Sequence, residues 1–242
     1  MGNFSDFLTT LLHGVVLTVE ATIGGIVVAT IAAFTAGLLN TSRSRTVRVI
    51  VRIYVEGWRG TSELVQLFWL YFAVPLLIHL QLVPLAAGII VLGLNFGAYG
   101  AEVVRGAVQS VPRAQQEGAI ALGFSTTQRL RRVIVPQALV EMVPPFSNLF
   151  VQLVQASALI SLINVRDITY QGRVILEPAF TTQVLPIFLL MLVLYLILSV
   201  IIVALMALVE RWARRVAGRP GPTRLRPSLL HQVVPTGLPG GG

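Results

Sequence analysis

The sequence predicts an all-α, polytopic membrane protein with five transmembrane helices and one long loop that carries helices of its own. Three observations predict it. Of the 242 residues, 55% are hydrophobic and only 12% are charged, whereas a soluble domain carries about 25% charge. Mean hydropathy is +0.80, which leaves too little polar surface to cover a soluble core. All 18 basic residues are arginine, and they cluster between long apolar segments. These features exclude an ordinary soluble enzyme, a disordered chain and a nucleic-acid-binding module, despite a net charge of +8.

A bilayer core of roughly 30 Å takes about 20 apolar helical residues, and five segments qualify. Residues 14–39 contain one charge, Glu20, and residues 64–83 contain none. Residues 84–104 are glycine-rich with only Glu102, and residues 140–163 carry only Glu141 near their start. Residues 184–209 are uncharged throughout. Arg43, Arg45, Arg48 and Arg52 follow the first segment, and Arg105, Arg113, Arg129, Arg131 and Arg132 separate the third from the fourth. Arg211, Arg214, Arg215, Arg219, Arg224 and Arg226 follow the fifth, whereas only Arg166 and Arg173 fall on the other side. Because cytoplasmic loops retain positive charge, the N-terminus is expected outside and the C-terminus in the cytoplasm. Residues 218–242, rich in Gly and Pro without amphipathic period, read as a flexible cytoplasmic tail after a membrane domain over residues 1–217. Five spans cannot form two equal inverted halves, so a second copy or a related subunit is expected to complete a pathway.

The loop over residues 105–139 holds the densest local signals. Pro112 suits the first turn of a helix, where its missing N–H costs nothing, and Gly123 suits a left-handed helix stop. Ser125 and Gln128 have capping-box spacing for a second helix, which Pro136 is expected to end. The result is a helix–turn–helix outside the membrane. Ala114, Gly118 and Ala121 give the first helix a face without bulk, flanked by Arg113 and Glu117. Two readings fit: another protein approaches that face closely, or it packs on the chain's own surface.

Polar residues within spans also fall on faces. Asn95, Tyr99 and Glu102 share one face of the third span, and Asn148, Gln152 and Gln155 share one of the fourth. Such groups should avoid lipid, facing either a water-filled pathway or neighbouring helices through hydrogen bonds. Gly93 and Gly97 form a GxxxG suited to helix packing. Arg48, Arg52, Glu56, Arg59 and Glu63 form a stripe of both signs. It is either a functional segment or an interfacial helix held by ion pairs. No Cys is present, the three His are scattered, and there is no G-x-x-x-x-G-K-[ST] phosphate loop. The chain itself is therefore expected to hold no catalytic cluster, metal or cofactor, and to draw energy from a partner or an ion gradient.

The stretch Glu117-Gly118-Ala119, then Gly123, then Ile134-Val135-Pro136, resembles the EAA loop of ABC-importer permeases. Tyr54-Val55-Glu56 with Arg59-Gly60-Thr61 and Leu64-Val65-Gln66-Leu67 resembles the Y-x-E-x-x-R-G-T-x-x-L-V-Q-L signature of the polar amino-acid permeases. Ala98-Tyr99-Gly100-Ala101-Glu102 with Arg105-Gly106, and Pro136-Gln137-Ala138, resemble two further segments of that family. Gly118 replaces the usual middle Ala, and Gln155 stands where a Lys is common. Ser157-Ala158-Leu159-Ile160-Ser161-Leu162 with Asp167-Ile168-Thr169-Tyr170-Gln171 looks most like ectoine/hydroxyectoine permeases.

The resemblance implies a type I importer permease in a bacterial plasma membrane. Its coupling residues would be Glu117, Gly118, Ala119, Gly123 and Pro136. Asn95, Tyr99, Glu102, Asn148, Gln152, Gln155, Ser157 and Ser161 would line the translocation pathway, with Glu56, Arg59 and Arg105 as motif charges. The implied partners are a dimer of ABC ATPase subunits, which would hold ATP and Mg, a second permease chain and an extracytoplasmic substrate-binding protein, all around a lipid-embedded chain without nucleic acid. Loss of the Lys favours a polar or zwitterionic solute. A gradient-driven carrier or channel is the alternative, and it would need neither ATPase nor binding protein.

Overall fold

The computed structural model describes residues 4–42, 44–79 and 81–217. The tail expected over residues 218–242 lies outside the described residues. Eight helical elements follow in order: α1 (Phe4–Leu39), α2 (Arg45–Arg59), α3 (residues 63–78), α4 (Pro84–Ser110), α5 (Arg113–Ala121), α6 (residues 126–163), α7 (residues 168–179) and α8 (Val184–Val216). Among the described residues there is no strand. Helices α1, α4, α6 and α8 are each long and apolar enough to cross a bilayer, and α2 with α3, bent by 102°, qualifies jointly as a fifth, broken span.

Helix α4 is the centre of the bundle, with 67% of its apolar window buried, against 11% for α8. Its glycines explain the close approach of α1. A Cβ on Gly93 would stand 2.5 Å from Val28 Cβ, and one on Gly97 would stand 2.6 Å from Ala32 Cβ. The GxxxG pair is thus a packing surface, where small residues bring two backbones together. One apolar cluster gathers Leu67, Leu92, Phe96, Leu153 and Ile160. A second gathers Val104, Ile134, Met142 and Phe146, with Phe34 stacked on Phe146 at 5.9 Å. Leu185, Leu192, Leu196 and Val200 of α8 point outward, as a lipid-facing helix requires.

Three boundaries depart from the sequence reading. The segment expected as a span over residues 64–83 is helical only to Ile78. His79 adopts a left-handed conformation (φ 53°), and Pro84 disfavours helix at Val83, which is extended. Hydropathy continues across this break, so it does not mark the break. At the other end of α3, the 102° bend removes Glu63 from the charged stripe, because α2 stops at Arg59.

The third departure concerns Pro136, which does not end a helix. It sits at the start of Val135–Ala156, and a wide turn over Leu130–Ile134 joins that helix to Thr126–Arg129, with Val135 N–H donating to Leu130 O. An i→i+5 turn widens the backbone just where a proline ring and its missing N–H would break the regular ladder. The second helix of the loop therefore runs straight into the fourth span. Likewise α4 continues to Ser110, so only Val111 and Pro112 separate it from α5.

Candidate coupling loop and polar cavity

Helix α5 is nine residues long and ends in a complete Schellman arrangement. Gly123 N–H donates to Ile120 O at 2.9 Å and Phe124 N–H to Ala119 O at 3.0 Å. Gly123 holds φ +75°, the conformation that only a residue without Cβ takes freely. Ser125 then caps the next turn reciprocally: its N–H donates to Gln128 Oε1 at 2.9 Å, and Gln128 N–H donates to its Oγ at 3.3 Å. Gly123, Ser125 and Gln128 thus shape the loop as their spacing predicts, whereas Pro112 stands one residue before the first turn, at the N-cap with ψ 138°.

What α5 touches is more informative than how it is built. Ala119 is buried on the chain's own surface, and Gln137 donates to Gln115 Oε1 at 3.4 Å. The opposite face meets nothing among the described residues. A Cβ added to Gly118 or Gly123 would find no atom within 4 Å. Glu117 is exposed, and Ile120 and Leu122 are 56% and 76% exposed. No steric requirement among the described residues explains Gly118, and two large apolar side chains beside it stand in the open.

The α2–α3 joint is the reverse case. Gly60 N–H closes α2 on Glu56 O at 2.8 Å. Trp58 O, left over at the helix end, accepts from Gln66 Nε2 at 2.8 Å and from Asn95 Nδ2 at 3.2 Å. Gln66 also donates to Thr61 Oγ1 at 2.6 Å, and its Oε1 accepts from Asn95 at 3.0 Å. Tyr54 Oη donates to Leu94 O at 2.7 Å. The joint is a polar knot with Asn95 inside it, its Nδ2 bonded twice and its Oδ1 buried without a hydrogen-bond partner among the described residues. Gln66 has a structural part that its place in the sequence motif did not reveal.

Beside the joint, a cavity of about 500 Å³ opens between α2 and α4. It brings together Glu56, Arg59, Glu102 and Arg105 with Arg48 and Arg52, and Arg59 lies over the Tyr99 ring at 5.0 Å. Glu102 accepts from Arg105 Nη2 at 2.6 Å, and Arg105 Nη1 donates to Gln109 Oε1 at 3.0 Å. Charges of both signs therefore face one space. The stripe on α2 keeps one ion pair among the described residues, Arg52 to Glu56 at 3.6 Å.

On α6, Asn148, Gln152 and Gln155 are exposed along one face. Ser157 is buried and donates to Val154 O at 2.7 Å; Ser161, half-buried, donates to Ala158 O at 2.7 Å. Both serines thus spend their protons on their own helix. At the far end of the bundle, Asp167 is buried without any exposure. It accepts from Tyr170 N–H at 2.8 Å and from Tyr195 Oη at 3.3 Å, pinning α7 to α8. Burial pushes its carboxyl up to about 7. Asp167 lies between the fourth and fifth spans, directly after Arg166, and no local pattern there announces its contact with Tyr195, 28 residues on.

Residues 25–215 match the family described as binding-protein-dependent transport system inner membrane component. The chain is 42% identical over 176 residues to a probable amino-acid ABC transporter permease of Sinorhizobium fredii, covering 71% of this chain and 74% of that one. It is 31% identical over 202 residues to the glutamine transport system permease protein GlnP of Escherichia coli, covering 83% and 91%. Among solved structures, a crystal structure of an amino acid ABC transporter with histidines superposes with a TM-score of 0.77 at 26% identity, covering 87% of this chain and 99% of that one. An all-α, multi-pass bundle with this match over most of its length belongs to the binding-protein-dependent transport system inner membrane components.

Proposed function

We propose that this chain is the permease subunit of an ATP-driven, binding-protein-dependent importer of a polar amino acid or a related zwitterionic solute. The observation that carries the reading is the unpartnered face of α5. Gly118 and Gly123 leave room that none of the described residues fills, and Ile120 and Leu122 stand exposed beside Glu117. A separate ATPase subunit dimer, holding ATP and Mg, would dock there, with Glu117 as polar anchor and Gly118 allowing close approach, while Ala119 seats the helix on its own bundle. Because α5 is tied by two residues to α4 and by one tight turn to α6, a rigid-body shift of the docked subunit would move both spans together. Those spans carry Tyr99 and Glu102 on one side and Asn148, Gln152 and Gln155 on the other.

The exposed polar face of α6 supports a second permease chain, the same or related. Groups of this kind are costly against lipid and face protein or water, so two copies turned toward each other would enclose the pathway. The both-signed cavity at Glu56, Arg59, Glu102 and Arg105 suits a solute with a carboxylate and an ammonium group. Gln155, in place of a Lys, favours a net-neutral one, with ectoine as one candidate beside glutamine and histidine. With fifteen arginines on one side, the N-terminus would lie outside, where a substrate-binding protein delivers solute, and α5 in the cytoplasm.

Reconstitution into proteoliposomes with its ATPase and binding protein tests the reading. Uptake of one of these solutes should require internal ATP. Uptake that persists without ATP or binding protein, and collapses with the ion gradient, would instead make the chain a secondary carrier.

A further inference from the structure

A second cavity, of about 650 Å³, lies where α1, α2, α4, α5 and α6 all end or begin. Its charged lining among the described residues is Arg48, Arg113 and Arg129, with no carboxylate. That separates it from the neighbouring cavity, whose lining includes Glu56 and Glu102. Arg48 donates Nη1 to Ser42 O at 2.7 Å. Arg129 is different: its Nε is buried and has no hydrogen-bond partner among the described residues. Leaving a buried guanidinium donor unmade is costly, and the cheapest remedy is an anion with several acceptor oxygens. The arginine fork matches phosphate geometry in particular. The level is also that of a phosphate: the cavity includes Asn40, Thr41 and Ser42, immediately past the last residue of α1 at Leu39. Lipid headgroups lie at the ends of spans, and basic pockets between transmembrane helices bind them.

We propose that this arginine-lined cavity binds a phosphate group, carried by an anionic phospholipid headgroup or by a soluble phosphate compound. A bound phosphate would bridge Arg113 at the start of α5 and Arg129 at the start of α6 to the α1–α2 connection. It would tie the loop to the bundle from both legs.

Native mass spectrometry of the purified full chain, titrated with phosphatidylglycerol and with phosphatidylcholine, reads the lipid source. Thermal unfolding in inorganic phosphate against chloride reads the soluble one. The wild type should retain phosphatidylglycerol over phosphatidylcholine, or unfold at higher temperature in phosphate; whichever arm responds names the source. Removing one arginine should weaken binding about fivefold and removing Arg113 and Arg129 together about 25-fold. The control pair Arg131→Gln with Arg132→Gln removes the same charge from exposed neighbours outside this cavity and should leave binding intact. Arg113→Gln alone, an exposed position, keeps the test open if Arg129→Gln fails to fold. Equal weakening by both pairs, or no response of the wild type in either arm, would overturn the proposal.

Discussion

The chain bends sharply at two glycine-bearing places, and they are finished in opposite ways. At the α2–α3 joint, the carbonyl set free at Trp58 is taken up twice over by Gln66 and Asn95, with Thr61 accepting from Gln66 and Tyr54 donating to Leu94 O. At the α5 turn the backbone is satisfied through Gly123, Phe124 and Ser125, and Ala119 and Gln115 hold one face to the bundle, while Gly118, Ile120 and Leu122 on the other face stand open among the described residues. A bend whose freed carbonyl is taken up by its own side chains, with only the Asn95 Oδ1 left over, keeps its polar bonding within the chain. A bend that is locally well formed but presents Gly118, Ile120 and Leu122 outward is built for something outside the chain. Exposed large apolar residues on α8 have a solvent in lipid; those on α5, after an arginine-rich span end, do not.

The sharpest way to break this comparison is to fill the empty space at α5. The Cβ of Gly118→Phe meets no atom of the described residues and the change replaces a weak helix former, so unfolding should be unchanged or slightly later while ATP-driven uptake falls to background. Retained uptake would mean that no partner occupies that face.

The Asp167 contact extends the comparison to a third polar junction, also bonded within its own chain. Its carboxyl is held near 7, above the ordinary value of 3.8, so the folded state binds the proton more tightly than the unfolded one. Stability from this group is complete below about pH 4 and is lost as pH rises through about 7, by a few kcal/mol at most. Thermal melts across that range should show the decline in the wild type and a flatter profile in Asp167→Asn.

Opening the α2–α3 joint should cost less. Gln66→Leu or Asn95→Leu removes one of the two donors on Trp58 O, and each should lower stability by about 1–2 kcal/mol in denaturant titrations. The folded fraction should still bind the ATPase normally, since α5 is untouched. Smallest of all is the exposed Arg52–Glu56 pair at 3.6 Å. Glu56→Gln should shift stability by less than about 0.5 kcal/mol, and a larger shift would make the α2 stripe a structural element rather than part of a solvated cavity.

Much of the fold was legible because membrane spans are written in hydropathy: α1 ends at Leu39 and α6 at Ile163, as the apolar runs indicate. The loop was legible because caps are local, and Gly123, Ser125 and Gln128 each act within four residues. The misread places are those where a distant group decides. Pro136 looked like a stop, yet a widened turn five residues long absorbs it. The charged stripe ran on past Gly60 by spacing alone, and nothing local announces that Gln66 and Asn95 will bridge a break there. Asn95 shares a helix face with Tyr99 and Glu102, but the cavity receives only the acid in its lining and the joint takes the amide. Periodicity finds faces; it does not say what stands opposite them.

The most direct test of the central claim is co-purification of the tagged chain with its ATPase subunit in gentle detergent, comparing wild type with Gly118→Phe at equal folded amounts. The account predicts that the wild type retains an ATP-hydrolysing partner in stoichiometric yield and that the variant loses it while its melting profile is unchanged. Equal retention by both would contradict it, because the space around Gly118 would then not be where the partner sits.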